Sequence, residues 1–211
     1  METRTHHSDI HGRHGHQAAL QDGLDFVNSL DKGRAGTIDR LSDLQAVLEW
    51  LAGHDLLHHE MIQEQLRLHA SEQSRERVMG QVRRVRAALR ELLDATVESR
   101  PPDPAALRDV NRALRTNYVY ELVPAPDGVS LDHRHEGDPI AGALARLAES
   151  IARELNEPDA DRLRVCASDD CRWVFRDSSP AGRRKWCDMA VCGNRAKVAR
   201  HRARQRERET A

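Results

Sequence analysis

Four cysteines are the residues whose type and spacing most directly predict chemistry in this chain. They lie within 27 residues as two close pairs, in the pattern C-x4-C-x15-C-x4-C: Cys166, Cys171, Cys187 and Cys192. Two short-spaced pairs at this separation are typical of a zinc site, because each pair supplies two thiolates from one turn. Four thiolates leave no open position for water or substrate, so the spacing predicts a structural zinc ion rather than a catalytic one.

Two other states of these cysteines stay open, namely a pair of disulfides or four free buried thiols. The first residues, METRTHHSDIHGRHGH, contain no apolar stretch typical of a secretion signal, and the chain has no run of 18 or more apolar residues. We therefore expect a cytoplasmic protein without a membrane span. Because the cytosol keeps thiols reduced, zinc is favoured over disulfides.

The three residues after the last cysteine are candidates to support the metal. A cluster of four thiolates with one Zn(II) keeps a net negative charge, which N–H groups and cations must offset. We expect Gly193 to let the backbone approach the Cys192 sulfur and Asn194 to cap the following helix. Arg195 would hydrogen-bond either a thiolate or a phosphate.

The spacing also predicts the elements that position the metal. Residues five apart on a helix point about 140° apart, so Cys187 must precede the last helix and Cys192 must lie in or just before its first turn. Between the pairs, RWVFRD (172–177) and RRKWC (183–187) predict a hairpin around SSPAG. Its two tryptophans, Trp173 and Trp186, would cover the metal. A short turn with the first two cysteines, a hairpin and a helix, in this order, are the elements of a treble-clef-like zinc finger.

The C-terminal segment carries a strong positive charge. From residue 172 to the end there are twelve basic and four acidic residues, a net charge of +8, whereas the rest of the chain carries −9. On a helix, the basic side chains of this tail flank a stripe of alanines on both sides, which suits a groove with phosphates on both walls. The scarcity of aromatic residues favours DNA over single-stranded RNA. The phosphate contacts that we expect come from Arg183, Arg184, Lys197, Arg200, Arg202 and Arg204.

The rest of the chain is predicted to be mostly helical, because apolar residues recur at helical spacing. The predicted helices are a first one ending in LDFVNSLD (24–31), a second beginning with a Ser42/Gln45 capping box, and others over 56–69, about 74–98, from Pro104 onward, and over 139–155. YVYELV (118–123) and VSLDHR (129–134), joined by PAPDG, predict a β-hairpin.

Three parts follow from these patterns. They are a disordered His-rich leader over 1–18, a helical domain over 19–158, and a zinc finger with a basic helix over 161–208. The predicted fold class is mostly α: a multihelical N-terminal domain with a small β-hairpin, followed by a treble-clef-like zinc finger with four cysteine ligands that ends in a basic helix. The leader's five histidines could bind a metal ion adventitiously, although disorder is favoured.

The C-terminal segment resembles the CGNR zinc-finger family, which is found mainly in bacteria. The resemblance rests on the four cysteines, WVF, RRKWC, the tetrapeptide CGNR and the basic helix. In that family the finger follows an ABATE-type domain, which LDFVNSLD, DLQAVLEWL and the hairpin near 118–134 also resemble. The resemblance implies a transcription regulator whose finger binds DNA and whose ABATE domain senses a ligand or partner.

Asn28, Trp50 and Arg86 lie in the ABATE-like stretches. The resemblance makes them candidates to line a ligand pocket, although ordinary packing or capping roles fit each of them better.

Two further functions stay open. The basic helix could instead dock on an acidic protein or on the acidic part of this chain. His54 and His58 have the i, i+4 spacing that could clamp a metal ion in an enzyme, but no HExxH or nucleophile motif accompanies them, so we expect no enzyme. Because one small finger binds a groove weakly, a homodimer is a further expectation.

Overall fold

A computed structural model describes residues 19–33, 36–126 and 128–209, and the predicted leader over 1–18 lies outside them. The described α-helices are α1 (Leu20–Asn28), α2 (Leu44–Gly53), α3 (Met61–Leu68), α4 (Glu72–Val97), α5 (Pro104–Ala113), α6 (Pro139–Leu155) and α7 (Asn194–Glu209). Three antiparallel pairs of strands accompany them: β1 (Leu30–Gly33) with β2 (Gly36–Asp39), β3 (Asn117–Ala125) with β4 (Gly128–Glu136), and β5 (Leu163–Val165) with β6 (Val174–Arg176). None of the described helices is long and apolar enough to cross a membrane.

The core lies between α1, α4 and α6. The predicted apolar stripe of α4 is buried along its whole length: Val78, Val82, Val85, Leu89 and Leu92. The stripe of α6 is buried in the same core. Each aliphatic side chain buried in this way stabilises the fold by roughly 1.5–3 kcal/mol. Gly23 lets α1 approach α6, since a Cβ there would lie 2.6 Å from Ser150 Oγ and 2.9 Å from Ile151 Cγ1.

Side-chain caps fix where several helices begin. Asp103 accepts a hydrogen bond from Ala105 N–H, and Pro104 occupies the first position of α5, as predicted. The predicted Ser42/Gln45 capping box is wrong. Asp43 is the cap of α2, because its carboxylate accepts from Ala46 N–H at 2.9 Å.

The mostly α fold with a β-hairpin and a C-terminal four-cysteine finger is confirmed. The predicted hairpin near 118–134 is present as β3 and β4, with Leu122 opposite Leu131. The first helix was expected to reach residue 31, but it ends at Asn28 and the chain continues into β1 and β2. Four-residue strands are too short to show the alternation by which strands are predicted.

Candidate metal centre

The first pair of cysteines lies on a turn between β5 and β6. Cys166 follows β5 and donates its N–H to Trp173 O at 2.8 Å, which extends the ladder by one bond. Cys171 N–H donates to Ser168 O at 3.0 Å, and Arg172 takes a left-handed conformation with φ of 58°. This tight reversal brings both cysteines of the pair to the same end of the hairpin.

The strand predicted over 172–177 is present as β6, but its predicted partner is wrong. β6 pairs with β5 ahead of the cysteines, and RRKWC (183–187) forms no strand. Buried Asp177 holds that segment instead, since it accepts the N–H groups of Ser179 at 3.0 Å and Arg184 at 2.7 Å. Hydrogen bonding from Ser179, aided by the Arg184 N–H, outweighs burial and lowers the pKa of Asp177 to about 2.

The second pair of cysteines lies at the beginning of α7. Asp188 accepts Val191 N–H at 2.9 Å and starts a π-helical turn over Met189–Gly193. Cys187 precedes this turn and Cys192 lies within it, so the predicted position of each relative to the helix is confirmed. The wider turn brings Cys192 back towards Cys187.

The predicted helix cap after Cys192 is wrong. Asn194 is the first residue of α7 and donates its side-chain amide to Ala190 O at 3.0 Å, so Asp188 and not Asn194 caps this segment. Gly193 leaves room for the Met189 side chain, because a Cβ there would clash with the Met189 thioether. Arg195 is exposed on α7.

The four sulfurs form a compact cluster that fits a zinc ion. All lie within 4.8 Å of one another, with 3.6 Å between Cys171 and Cys187 and 3.8 Å between Cys187 and Cys192. A tetrahedron with Zn–S bonds of about 2.3 Å requires S···S separations of roughly 3.8 Å. Three of the cysteines are buried, and Cys187 is half-buried. When bound, the ion would cross-link two segments that share no backbone ladder.

The surroundings of the sulfurs also favour a bound cation, because buried thiolates that lie close together need a positive charge to offset their own. Burial, followed by the neighbouring thiolates, raises the pKa of Cys192 to about 11 and also raises that of Cys187. Burial opposes ionisation of Cys166 too, but the N–H groups of Cys187 and Ser168 point at its sulfur and lower its pKa. Backbone N–H groups of Ser168 and Cys187 thus offset negative charge at Cys166. The sequence did not indicate these two donors, because the fold and not a residue type points their N–H groups at the sulfur.

Aromatic residues cover the cluster. Trp173 and Trp186 pack against the cysteines, as predicted. The Arg40 guanidinium, from the helical part, lies 5.2 Å from the Trp173 ring centroid. Arg184 stacks at 5.2 Å on Phe175 and donates to Cys187 O. Arg184, a predicted phosphate contact, is therefore half-buried and already has partners within the finger.

Helix α7 is exposed along most of its length. The other predicted phosphate contacts are exposed: Arg183, Lys197, Arg200, Arg202 and Arg204. On the alanine stripe, Ala196 is half-buried, but Ala199 and Ala203 are exposed. Beyond the first turn the alanines therefore do not pack against the finger, and the basic side chains on both sides of the stripe face solvent.

Asn28 joins the finger to the helical part. Its side chain donates to Val174 O at 2.8 Å and accepts from Val174 N–H at 2.9 Å, so that it pairs with β6 as a neighbouring strand would. Val174 and Leu163 belong to the same buried core as the helices. Arg176 of β6 also forms ion pairs with Glu154 and Asp159. The β5–β6 hairpin of the finger is therefore part of the helical core.

Replacing Asn28 by Ala tests this joint. We expect the free energy of unfolding to fall by about 3 kcal/mol, because the N–H and C=O of buried Val174 both lose their partner. Urea denaturation followed by circular dichroism measures the change. Asn111→Ala, at an exposed position of α5, is the matched control and should stay within about 0.5 kcal/mol of the parent protein. Equal stabilities of the two variants would contradict the proposed joint.

Arg86 and Trp50, the other candidates for a ligand pocket, also have internal partners. Arg86 is 3% exposed and donates to Ser29 Oγ at 2.9 Å and to Asp39 Oδ1 at 2.7 Å. Trp50 is half-buried and stacks on His54 with ring centroids 4.0 Å apart. The structure therefore gives Asn28, Trp50 and Arg86 positioning roles.

The histidines considered for an enzyme do not converge on a metal. His54 Nδ1 lies 2.9 Å from Asp22 Oδ1 on α1. His58 instead lines a cavity of about 680 Å³ bounded by the α2–α3 connection, the end of β4 and the start of α6. Within the described ranges, the cysteine cluster is the one group of His, Cys, Asp or Glu whose ligand atoms lie close enough to hold a metal ion.

Comparisons with known families agree with this geometry. The ABATE model, described as "Putative stress-induced transcription regulator", matches residues 23–158, and the CGNR zinc finger model matches residues 162–205. No curated protein matches the chain. Both models describe regulator or zinc-finger types rather than enzymes, and the first covers more than half of the chain. The chain therefore belongs to the ABATE family and carries its zinc site in a C-terminal CGNR zinc finger.

Proposed function

We propose that this protein is a zinc-dependent, DNA-binding transcription regulator of the cytoplasm and not an enzyme. In this proposal the finger contacts DNA and the helical part senses a ligand or partner. The observation that carries the proposal is α7, an exposed basic helix that begins two residues after a cysteine of the metal cluster.

The charge of α7 is arranged for a polyanion. Its 16 residues include seven basic side chains, and its two acidic ones, Glu207 and Glu209, lie at the far end. At 100° per residue the basic side chains form two rows on opposite sides of the alanine stripe. One row consists of Lys197, Arg200, Arg204 and Arg208, and the other of Arg195, Arg202 and Arg206. A groove of duplex DNA presents phosphates on both walls, which two such rows match.

A bound zinc ion would fix the position and direction of the first turn of α7. Cys192 lies in the turn that leads into α7, and its partners Cys166 and Cys171 are held by the β5–β6 hairpin. With the sulfurs tied to one ion, the direction of the first turn is set relative to the core. Arg183, on the exposed loop before Cys187, would then add a phosphate contact beside the helix start.

Neutralising one row of α7 tests DNA binding. If about five phosphates are contacted, log K for duplex DNA should fall against log salt with a slope near −4.5. Changing Lys197, Arg200 and Arg204 to Gln should weaken binding at least tenfold near 0.1 M salt and bring the slope to about −2. Mobility shifts over a salt series measure both quantities.

A control with the same change of charge separates a local effect from a global one. Arg75, Arg77 and Arg108 are exposed on the helical part, and their replacement by Gln should leave the salt slope within about 0.5 of the parent value. The proposal fails if the intact protein gives no shift, or if both triple variants bind alike.

Charge asymmetry favours one alternative, in which the basic helix docks on an acidic protein. The chain from residue 172 onward carries +8 and the remainder −9. Removing residues 194–211 would then abolish a protein complex while leaving retention on DNA unchanged. Loss of DNA retention in that truncated protein would favour the DNA-binding proposal.

The sensing part of the proposal is best supported at the cavity of about 680 Å³. Its lining combines apolar side chains with polar ones, among them His58, His59, Glu136 and Arg146. Asp55, also in the lining, has a left-handed φ of 55°, a strained conformation that often accompanies functional sites. Cavities of this size hold small organic molecules.

A further inference from the structure

The β3–β4 hairpin exposes a continuous apolar surface. Side chains directly opposite each other lie on the same face of a two-stranded sheet, and every second residue shares that face. The register pairs Tyr120 with His133, Leu122 with Leu131 and Pro124 with Val129, so these positions share one face. We call the five of them other than His133 the apolar hairpin face: Tyr120, Leu122, Pro124, Val129 and Leu131.

This face is unusually exposed for its composition. Tyr120 is 67% exposed, Leu122 70%, Val129 72% and Leu131 65%. Within the described part of the chain, neither β3 nor β4 pairs with a further strand. Long two-stranded ribbons are marginal by themselves, and exposed apolar patches of this kind mark interaction sites.

We propose that a second copy of this chain covers the apolar hairpin face, so that two hairpins pack face to face about a two-fold axis. Steps of two residues along a strand are about 6.8 Å long, so Tyr120 and Pro124 lie at equal distances on either side of Leu122. When the leucine layers of two antiparallel copies coincide, the layer of Tyr120 and the His133 position in one copy falls on the layer of Pro124 and Val129 in the other. The large side chain meets the smaller ones, and the surface is self-complementary.

The charge distribution also selects a second copy as the occupant. The five side chains of the apolar hairpin face carry no charge, so they meet their own copies without repulsion, whereas a strongly charged partner would find no opposite charge among them. Helix α7, by contrast, carries seven basic residues and would repel its own copy. An isologous contact of this kind is the commonest route to a homodimer.

The size of the face fits a dimer of moderate affinity. A patch of five such residues offers roughly 400–500 Å², so two copies would bury roughly 800–1,000 Å². This area lies at the low end of specific interfaces, where weak and transient complexes are common. The dimer does not depend on DNA binding, and together with the proposed function it would place two fingers on one duplex.

Analytical ultracentrifugation of the full-length, zinc-loaded protein without DNA tests the dimer between about 1 and 200 µM. We expect a monomer–dimer equilibrium for the parent protein and at least thirtyfold weaker association for Leu122→Asp and Leu131→Asp. Ser130→Asp, at an exposed position on the opposite face of the same strand, is the matched control and should dimerise like the parent. A parent protein that stays monomeric throughout, or aspartate variants that dimerise normally, would overturn the proposal.

A second measurement needs no variant. Hydrogen exchange of the β3 and β4 amides should slow as the parent protein is concentrated, while exchange in α7 stays unchanged. Concentration-independent exchange in the hairpin would count against the dimer. A dimer that gives no mobility shift would refute the DNA-binding proposal alone, and a monomer with a salt-dependent shift would refute the dimer alone.

Discussion

Removal of zinc is expected to melt α7 and the loop that precedes it, while leaving the helical core folded. The cysteines and the aromatic side chains around them form a small cluster separate from the main core. So few apolar residues cannot order the segment from Asp177 to Gly193 without the ion, since zinc binding contributes about 10–16 kcal/mol in comparable fingers. β5 and β6 should persist, because Leu163 and Val174 lie in the main core.

The measurement combines zinc content with helicity and hydrogen exchange. On chelation, or in Cys171→Ser, the helical signal should fall by an amount matching the 16 residues of α7, and amide protection should be lost beyond residue 177 only. Ser178→Ala, at an exposed position of the same loop, should bind zinc normally. Retention of α7 protection in the zinc-free protein would contradict this account of the finger.

Replacing Arg86 by Met should produce the largest loss of stability among single changes in the helical part. Arg86 is buried and holds the Asp39 carboxylate through both terminal nitrogens, with a further bond to Ser29 Oγ. Removing one partner of a buried ion pair costs about 3–5 kcal/mol, because the other charge stays without compensation. Urea denaturation at pH 7 measures the loss.

Arg83→Met is the matched control, because Arg83 lies one turn earlier on α4 and pairs with Glu76 at the surface. A surface pair of this kind is worth at most about 1 kcal/mol. If the two variants lose equal stability, the buried pair is not a main support of the fold. Adding Asp39→Asn to Arg86→Met should recover part of the loss, because the unpaired charge is then removed.

The same pair predicts a pH dependence. Burial opposes ionisation of Asp39, but hydrogen bonds from Arg86 and from Leu41 N–H outweigh it and lower the pKa below its usual value of 3.8. The contribution of Asp39 to stability is therefore complete above pH 3.8 and is lost as the pH falls through the lowered pKa. Arg86→Met should flatten this acid limb of the stability curve.

Local patterns explain what could be predicted from the sequence. The stripes of α4 and α6 recur at helical spacing, and Pro104 marks a helix start by its own chemistry. The four cysteines also indicate the zinc site through spacing alone, and the angular argument placed Cys187 ahead of the turn that holds Cys192. These features depend on residues that are close in sequence, so they can be predicted without knowledge of the tertiary structure.

Contacts between distant segments account for most of what was missed. Asn28 and Val174 are 146 residues apart, and a side chain that pairs with a strand carries no periodic signal. β6 pairs with the three-residue strand β5 and not with the predicted partner RRKWC. This pairing is favoured because Leu163 of β5 is buried in the helical core. Arg86 carried no sign of its burial either, since most arginines are exposed.

Asn28 of α1 holds the β5–β6 hairpin through Val174, and this hairpin carries the first two cysteines of the cluster from which α7 begins. Helix α7 has 16 residues and is about 24 Å long. A tilt of α7 by about 10° about its first turn displaces its C-terminal end by roughly 4 Å. This displacement exceeds the rise of about 3.4 Å between successive base pairs of DNA. If the finger binds DNA as proposed, a small rotation of the β5–β6 hairpin would therefore shift the far end of α7 by about one base pair along the duplex.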